Sequence, residues 1–367
     1  MPRLPWIGIL GFGFGFGMVL TGLAPLARGA DLPSRNPTKA PGYPHQAVVR
    51  QEFGSGARSY WLFEPAEPTP ETAPVVVFNH GWLAVNPGAY GAWIDHLVRR
   101  GHIVIYPRYQ ADVATLPADF LPNALAAVRD AFDVLETSPK HIRPDRKRFA
   151  LIGHSAGGNL SAQIAAVAEE NGLPRPRAVV AMMPGQVQTI RGPSLARIPA
   201  STLLVVAAAE DDLVVGDARA RQIFAGATAI PNERKKFVLY LSDHHGSPRL
   251  IADHLAPTAA YSGFDSGDGI LHGLQMNRAE LNVFDYAGFW RLADVTLAAG
   301  FAGKTLDEAT NQGELFRHLG YWSDGRAVER PIVGHDLSVI PRVFPSNGLR
   351  IIKFATQDTI TASTVRE

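Results

Sequence analysis

Phe149-Ala150-Leu151-Ile152-Gly153-His154-Ser155-Ala156-Gly157-Gly158 reads as a short strand, a glycine-flanked serine and the opening of a helix. The apolar run 149–152 predicts a strand covered on both faces. A helix is expected over 155–170, with Gly172 beyond its end. The Gly-x-Ser-x-Gly pattern is weak alone, and its place in a strand–turn–helix setting gives it weight. A serine there sits on a sharp, strained turn, and neighbours without side chains let strand and helix pass closely. Its hydroxyl projects at the carboxyl ends of the strands, where open α/β sheets place their sites. The plain alternative is a glycine-rich turn with a helix-capping serine.

The same alternation extends outward. Residues 75–78, 103–106, 178–182, 203–208 and 237–241 are short apolar strands. Residues 89–100, ended by Gly101, and residues 122–136 carry apolar positions at helical spacing. The pattern predicts an α/β fold: a mostly parallel central sheet with helices on both faces. Residues 48–49 and 53–63 supply an antiparallel edge. Residues 257–280 are rich in Gly, Ser and Asp and read as a long loop. A helix docking on the sheet is expected over 284–299. Residues 323–367 hold β-branched runs and turn residues, which suits either a small β-rich extension or a partly disordered end.

The N-terminal 30 residues stand apart. Arg3 is followed by an apolar Gly/Phe-rich stretch to Ala27 and by small residues at Gly29 and Ala30. That order predicts a secretory signal peptide, with an uncleaved membrane anchor as the rival. The expected organisation is therefore 1–30 signal peptide, 31–47 extended leader, 48–322 catalytic domain and 323–367 extension. Once cleaved, the chain is expected to be exported, periplasmic or secreted, with no stable membrane anchor.

Among 367 residues there are 35 Lys and Arg, 34 Asp and Glu, and no Cys. A net charge of +1 gives no excess of cations for a nucleic-acid backbone. The lack of Cys excludes disulfides, a thiolate nucleophile and Cys-held zinc or iron–sulfur centres. With 35 Gly and 28 Pro, many turns and long connections are expected.

A serine hydroxyl needs a base, and the base needs an orienting acid. The expected chain order is Ser, acid, His. Glu210-Asp211-Asp212 follows the strand 203–208, and Asp243-His244-His245-Gly246 follows 237–241. Asp212 is preferred among the acids because it lies farthest from the strand end, ahead of Leu213-Val214-Val215. Asp211 and Glu210 follow it. His245 is preferred to His244 because it precedes Gly246 at the loop tip. Two backbone N–H groups should face the developing oxyanion: that of Ala156, after the nucleophile, and that of Trp82 in the turn Asn79-His80-Gly81-Trp82, with Leu83 as reserve. His80 is read as a structural residue of that turn. Trp82, Tyr109 and Met183 stand at strand ends, as pocket lining or as core.

With these motifs the chain resembles the α/β-hydrolase superfamily over about residues 48–300. It is most similar to the esterase branch with chlorophyllase-like, dienelactone-hydrolase-like and polyester-hydrolase-like members. The carrying residues are 75–81, 153–158, 210–212 and 243–246. The resemblance implies a Ser–His–Asp triad and cofactor-free hydrolysis of small-molecule or polymeric esters. Dienelactone hydrolases proper use a Cys nucleophile, which this chain lacks. Two other classes compete. A metal-dependent hydrolase would use His244, His245, His254, Asp243 and Asp253, although no compact metal-binding spacing occurs. A non-catalytic binding protein on the same fold is the other. The connection 183–200 is too short for a multi-helix cap, so an open cleft is expected.

Overall fold

The computed structural model describes residues 30–31, 42–186 and 192–345. All of the expected signal peptide except Ala30, and residues 346–367 of the extension, lie outside the described residues.

The strands are β1 (Ala47–Phe53), β2 (Tyr60–Ala66), β3 (Thr72–Asn79), β4 (Ile103–Pro107), β5 (Arg143–His154), β6 (Ala178–Met182), β7 (Leu203–Ala209), β8 (Lys235–Tyr240) and β9 (Ile332–Gly334). They form one sheet in the order β1-β2-β4-β3-β5-β6-β7-β8-β9. The six strands from β4 to β8 run parallel, while β1, β2 and β9 are antiparallel to their neighbours. The helices are α1 (Gly91–Arg99), α2 (Phe120–Thr137), α3 (Ala156–Val167), α4 (Ala218–Gly226), α5 (His272–Arg278), α6 (Trp290–Ala302) and α7 (Leu306–Thr310). Gly101 takes a positive φ of 98° just past α1, a conformation that L side chains rarely adopt.

Side chains alternate across the sheet. Val76 and Phe78 of β3 join Trp93, Leu97, Trp290 and Leu297 on the face covered by α1 and α6. Val75 and Val77 join Val128, Ile164 and Ile223 on the opposite face, under α2, α3 and α4. Each such apolar side chain contributes roughly 1.5–3 kcal/mol on burial, so both faces are obligatory core.

Three regions differ in detail from expectation. β5 starts six residues before Phe149, because Arg143–Asp145 pair with Thr72–Pro74 before a register shift at Pro74/Val75. The helix expected from 284 begins as a π-helix, Phe284–Phe289, and becomes α6 only at Trp290. The loop 257–280 contains α5 and is stitched to Asn86, whose amide bonds Asp265 and accepts from Ser266.

The sheet does not stop at residue 322. β9 pairs with β8, and Val328 and Val333 are part of the core. Arg221 on α4 donates to the carbonyls of Leu337, Ile340 and Pro341, and the Asp217 N–H bonds Val343.

The topology puts one feature at the centre. From β3 the chain leaves toward β4 on one side, and β5 adds on the other. The turns after β3 and β5 therefore open side by side at the carboxyl edge, where a cleft forms without cost to the sheet.

Candidate active site

Ser155 occupies the turn between β5 and α3 with φ 56° and ψ −124°, a conformation costly for any residue with a side chain. Close packing holds it there. A Cβ on Gly157 would strike the carbonyl oxygens of Asn79 and His80, which are backbone atoms of β3 and its turn. The Ser155 N–H bonds the Met182 carbonyl at 3.0 Å, and the Ser155 carbonyl accepts from Gly185 at 2.9 Å. The Ser155 hydroxyl does not cap α3.

It faces His254 instead. His254 Nε2 lies 2.9 Å from Ser155 Oγ, and His254 Nδ1 lies 2.8 Å from Asp212 Oδ2. Asp212 is fully buried, and its other oxygen accepts from the N–H groups of Val214 and Val215. Burial pushes the Asp212 carboxyl up. The charge and hydrogen bond of His254, with the two backbone N–H groups, outweigh it and hold the carboxyl below the usual range. An ionised Asp212 requires the proton on His254 Nδ1. That leaves Nε2 bare to accept the Ser155 hydroxyl proton.

The histidine expected at this position, His245, stands elsewhere. Two backbone bonds between Asp243 and Leu250 close the loop 243–250, and His245 sits in its outer part. Arg326 donates to His245 Nδ1 at 3.0 Å, and His245 Nε2 donates to Asp324 at 2.7 Å. His244 is exposed. The chain returns to the sheet only at Leu250 and Ala252, both buried, where the Ala252 carbonyl accepts from Asp211 N–H. The side chain that reaches Ser155 comes two residues after that return. The apolar run Leu250-Ile251-Ala252, buried at Leu250 and Ala252, was the available signal, and loop-tip geometry pointed away from it.

The two other acids join the loops. Glu210 accepts from the Ser242 N–H at 2.9 Å, and Asp211 accepts from the Ser242 hydroxyl at 2.5 Å. The residues of the metal reading are dispersed among these partners. Asp243 accepts from Trp322 Nε1 and the Glu329 N–H. Among the described residues no group of three His, Asp or Glu is gathered as a metal site.

Of the N–H groups in the turn after β3, that of Leu83 is bonded to Gln110 Oε1 at 2.8 Å and that of Gly81 to the Tyr90 hydroxyl at 3.0 Å. The Trp82 N–H lies between them, and the Ala156 N–H opens α3, where the helix dipole favours negative charge. His80 is buried, and that burial lowers its pKa to about 4. Its ring stacks on Tyr109 at 4.2 Å and faces the Arg108 and Gly81 carbonyls, as a brace for the turn. Tyr109 and Met183 are core residues with no exposed surface. The cavity beside Ala156 is lined instead by Phe120, Leu121, Leu160, Asn159 and Gln163 among others. It measures about 240 Å³, and among the described residues no charged side chain lines it.

The sequence profile of a family described as alpha/beta hydrolase fold matches residues 76–226. No curated protein matches the chain. The matched stretch holds Trp82, Ser155, Ala156 and Asp212, and ends before His254.

Proposed function

We propose that this chain, whose residues 76–226 match the family described as alpha/beta hydrolase fold, is a serine esterase. The observation that carries the reading is the continuous path from strained Ser155 through His254 to buried Asp212. Ser155 Oγ attacks the ester carbonyl as His254 Nε2 takes its proton. The imidazolium is held by Asp212 through Nδ1–H. Negative charge on the former carbonyl oxygen is received by the N–H groups of Trp82 and Ala156, each such donor supplying about 3–4 kcal/mol in related chemistry. Collapse expels the alcohol, which takes the proton from His254. Water, deprotonated by the same imidazole, then releases the acid and restores Ser155.

The cavity beside Ala156, which no charged side chain of the described residues lines, supports an ester whose non-reacting arm is neutral and small. The order of Arg3, apolar core and small residues supports action after export. A fluorophosphonate should label the wild-type chain at Ser155, and a panel of chromogenic esters should show turnover falling once the acyl chain exceeds the cavity. A purified chain that neither labels nor hydrolyses any of the panel would overturn the proposal. Intact mass of the exported protein, starting near Ala30 or Asp31, tests the location.

A further inference from the structure

Behind Ser155 runs a buried chain of hydrogen bonds that the chemistry above does not use. Tyr90 ends the helical turn Pro87–Tyr90 that leads into α1, and it is buried. Its hydroxyl lies 3.0 Å from the Gly81 N–H and 2.8 Å from His154 Nδ1. His154 Nε2 lies 2.7 Å from the carbonyl oxygen of His254. The ends fix the direction of every proton. The Gly81 N–H can only donate and the His254 carbonyl can only accept. The Tyr90 proton therefore goes to His154 Nδ1, and the ring proton of His154 sits on Nε2.

We propose that Tyr90 and His154 are positioning residues, which lock the backbone of the base to the turn that supplies an oxyanion donor. The relay starts at Gly81, one residue before Trp82, and ends on the main chain of His254. It thus couples the two groups that must meet one reacting carbonyl from different sides. Effective alignment of that kind is steep in distance, and displacements near 1 Å cost about a hundredfold in rate. This inference rests on the serine-esterase reading. The two histidine rings lie 4.9 Å apart, so a second charge would oppose the imidazolium formed in catalysis. Burial, reinforced by the His254 charge, lowers His154 to about 3, and its proton pattern stays fixed while His254 gains and loses a proton.

The test uses Tyr90→Phe, His154→Leu and His154→Gln in the full chain, with kcat, KM, the rate of fluorophosphonate labelling and the melting temperature. Tyr90→Phe should lower kcat and labelling rate by about ten- to a hundredfold with KM within about threefold. His154→Leu should do the same. His154→Gln retains a donor for the His254 carbonyl and an acceptor for Tyr90, and should recover most of the rate. The acid limb of the pH profile should keep its position in all variants, since the base is unchanged. A folded Tyr90→Phe with wild-type kcat overturns the proposal, as does equal activity of the Gln and Leu variants, which would mean packing alone. If His154→Leu does not fold, Tyr90→Phe decides. An active wild type with an unaffected Tyr90→Phe sinks only this inference. A wild type that neither labels nor turns over sinks the esterase reading and this proposal with it.

Discussion

The turn that presents Ser155 and the loop that presents His254 meet through Ser155 Oγ and through His154, but they draw the rest of their support from different parts of the chain. Ser155 is fixed by its own flanking glycines and by β3 and β6, the strands on either side of β5. The His254 loop is fastened from far away. Trp322 Nε1 donates to Asp243 across 79 positions at 2.8 Å, and the Glu329 N–H donates to the same carboxylate at 2.9 Å. These groups and the local backbone hold the Asp243 carboxyl below the usual range, although burial opposes them. A small hairpin, closed by bonds between Trp322 and Arg326 and between Val328 and Gly320, carries the clamp. The Ser155 turn is thus held locally, whereas the His254 loop is held from far along the chain as well.

The comparison breaks first at the reacting groups. Ser155→Ala and His254→Ala should each lower kcat by about 10⁶-fold while the fold survives, measured by ester turnover and thermal melting of purified protein. If His245→Ala proved the inactive variant and His254→Ala the active one, the site geometry would be wrong.

Asp212→Asn should cost about 10⁴-fold in kcat, because the amide no longer fixes the imidazole tautomer. It also has a pH signature. The folded carboxyl is held below its unfolded value, so its stabilisation is present above about pH 4 and is lost as the pH falls through the folded value. Denaturation at stepwise lower pH should show the stability gap between wild type and Asp212→Asn closing on acidification. A gap that widens would contradict the sign.

The two loops can be compared by the same insertion. Gly157→Ala drives a methyl into main-chain oxygens of β3 and its turn, which have nowhere to go, so a loss above about 4 kcal/mol and failure to express are expected. Gly246→Ala drives it into the ring of Trp322, a buried side chain on the hairpin, and toward the Ala30 carbonyl. That variant should fold, lose about 1–3 kcal/mol in chemical denaturation and turn over more slowly. Equal behaviour of the two would erase the distinction between a local and a distant device.

The smallest effect belongs to His245→Ala. Its partner Asp324 is exposed and screened by solvent, so loss of the pair should leave the melting temperature close to that of the wild type. Activity should stay close to wild type, since His245 touches neither Ser155 nor Asp212.

This contrast also explains what the sequence disclosed. The strands from β3 to β8 were legible because short apolar runs alternate with amphipathic helices, and each run must be buried on both faces. Ser155 was legible because its constraint is steric and local. Asp212 was reachable by distance from a strand end. His254 was not, because the bonds between Asp243 and Leu250 that send His245 outward are set by contacts with residues 320–329, beyond any local pattern. β9 falls in the segment read as a β-rich or partly disordered extension, and the choice stayed open for a related reason: three residues gain strand identity only by lying against β8.

The fastening by residues 320–345 divides the site along the chain. The Ser155 turn draws its backbone bonds from residues up to Gly185, whereas the loop that carries His254 is held both by the Ser155 side of the sheet and by the hairpin. The acid loop runs into α4, whose Asp217 and Arg221 are tied to Val343 and to the carbonyls of 337–341. The contacts that hold one side of the candidate site therefore lie far later in the chain than the Ser155 turn itself.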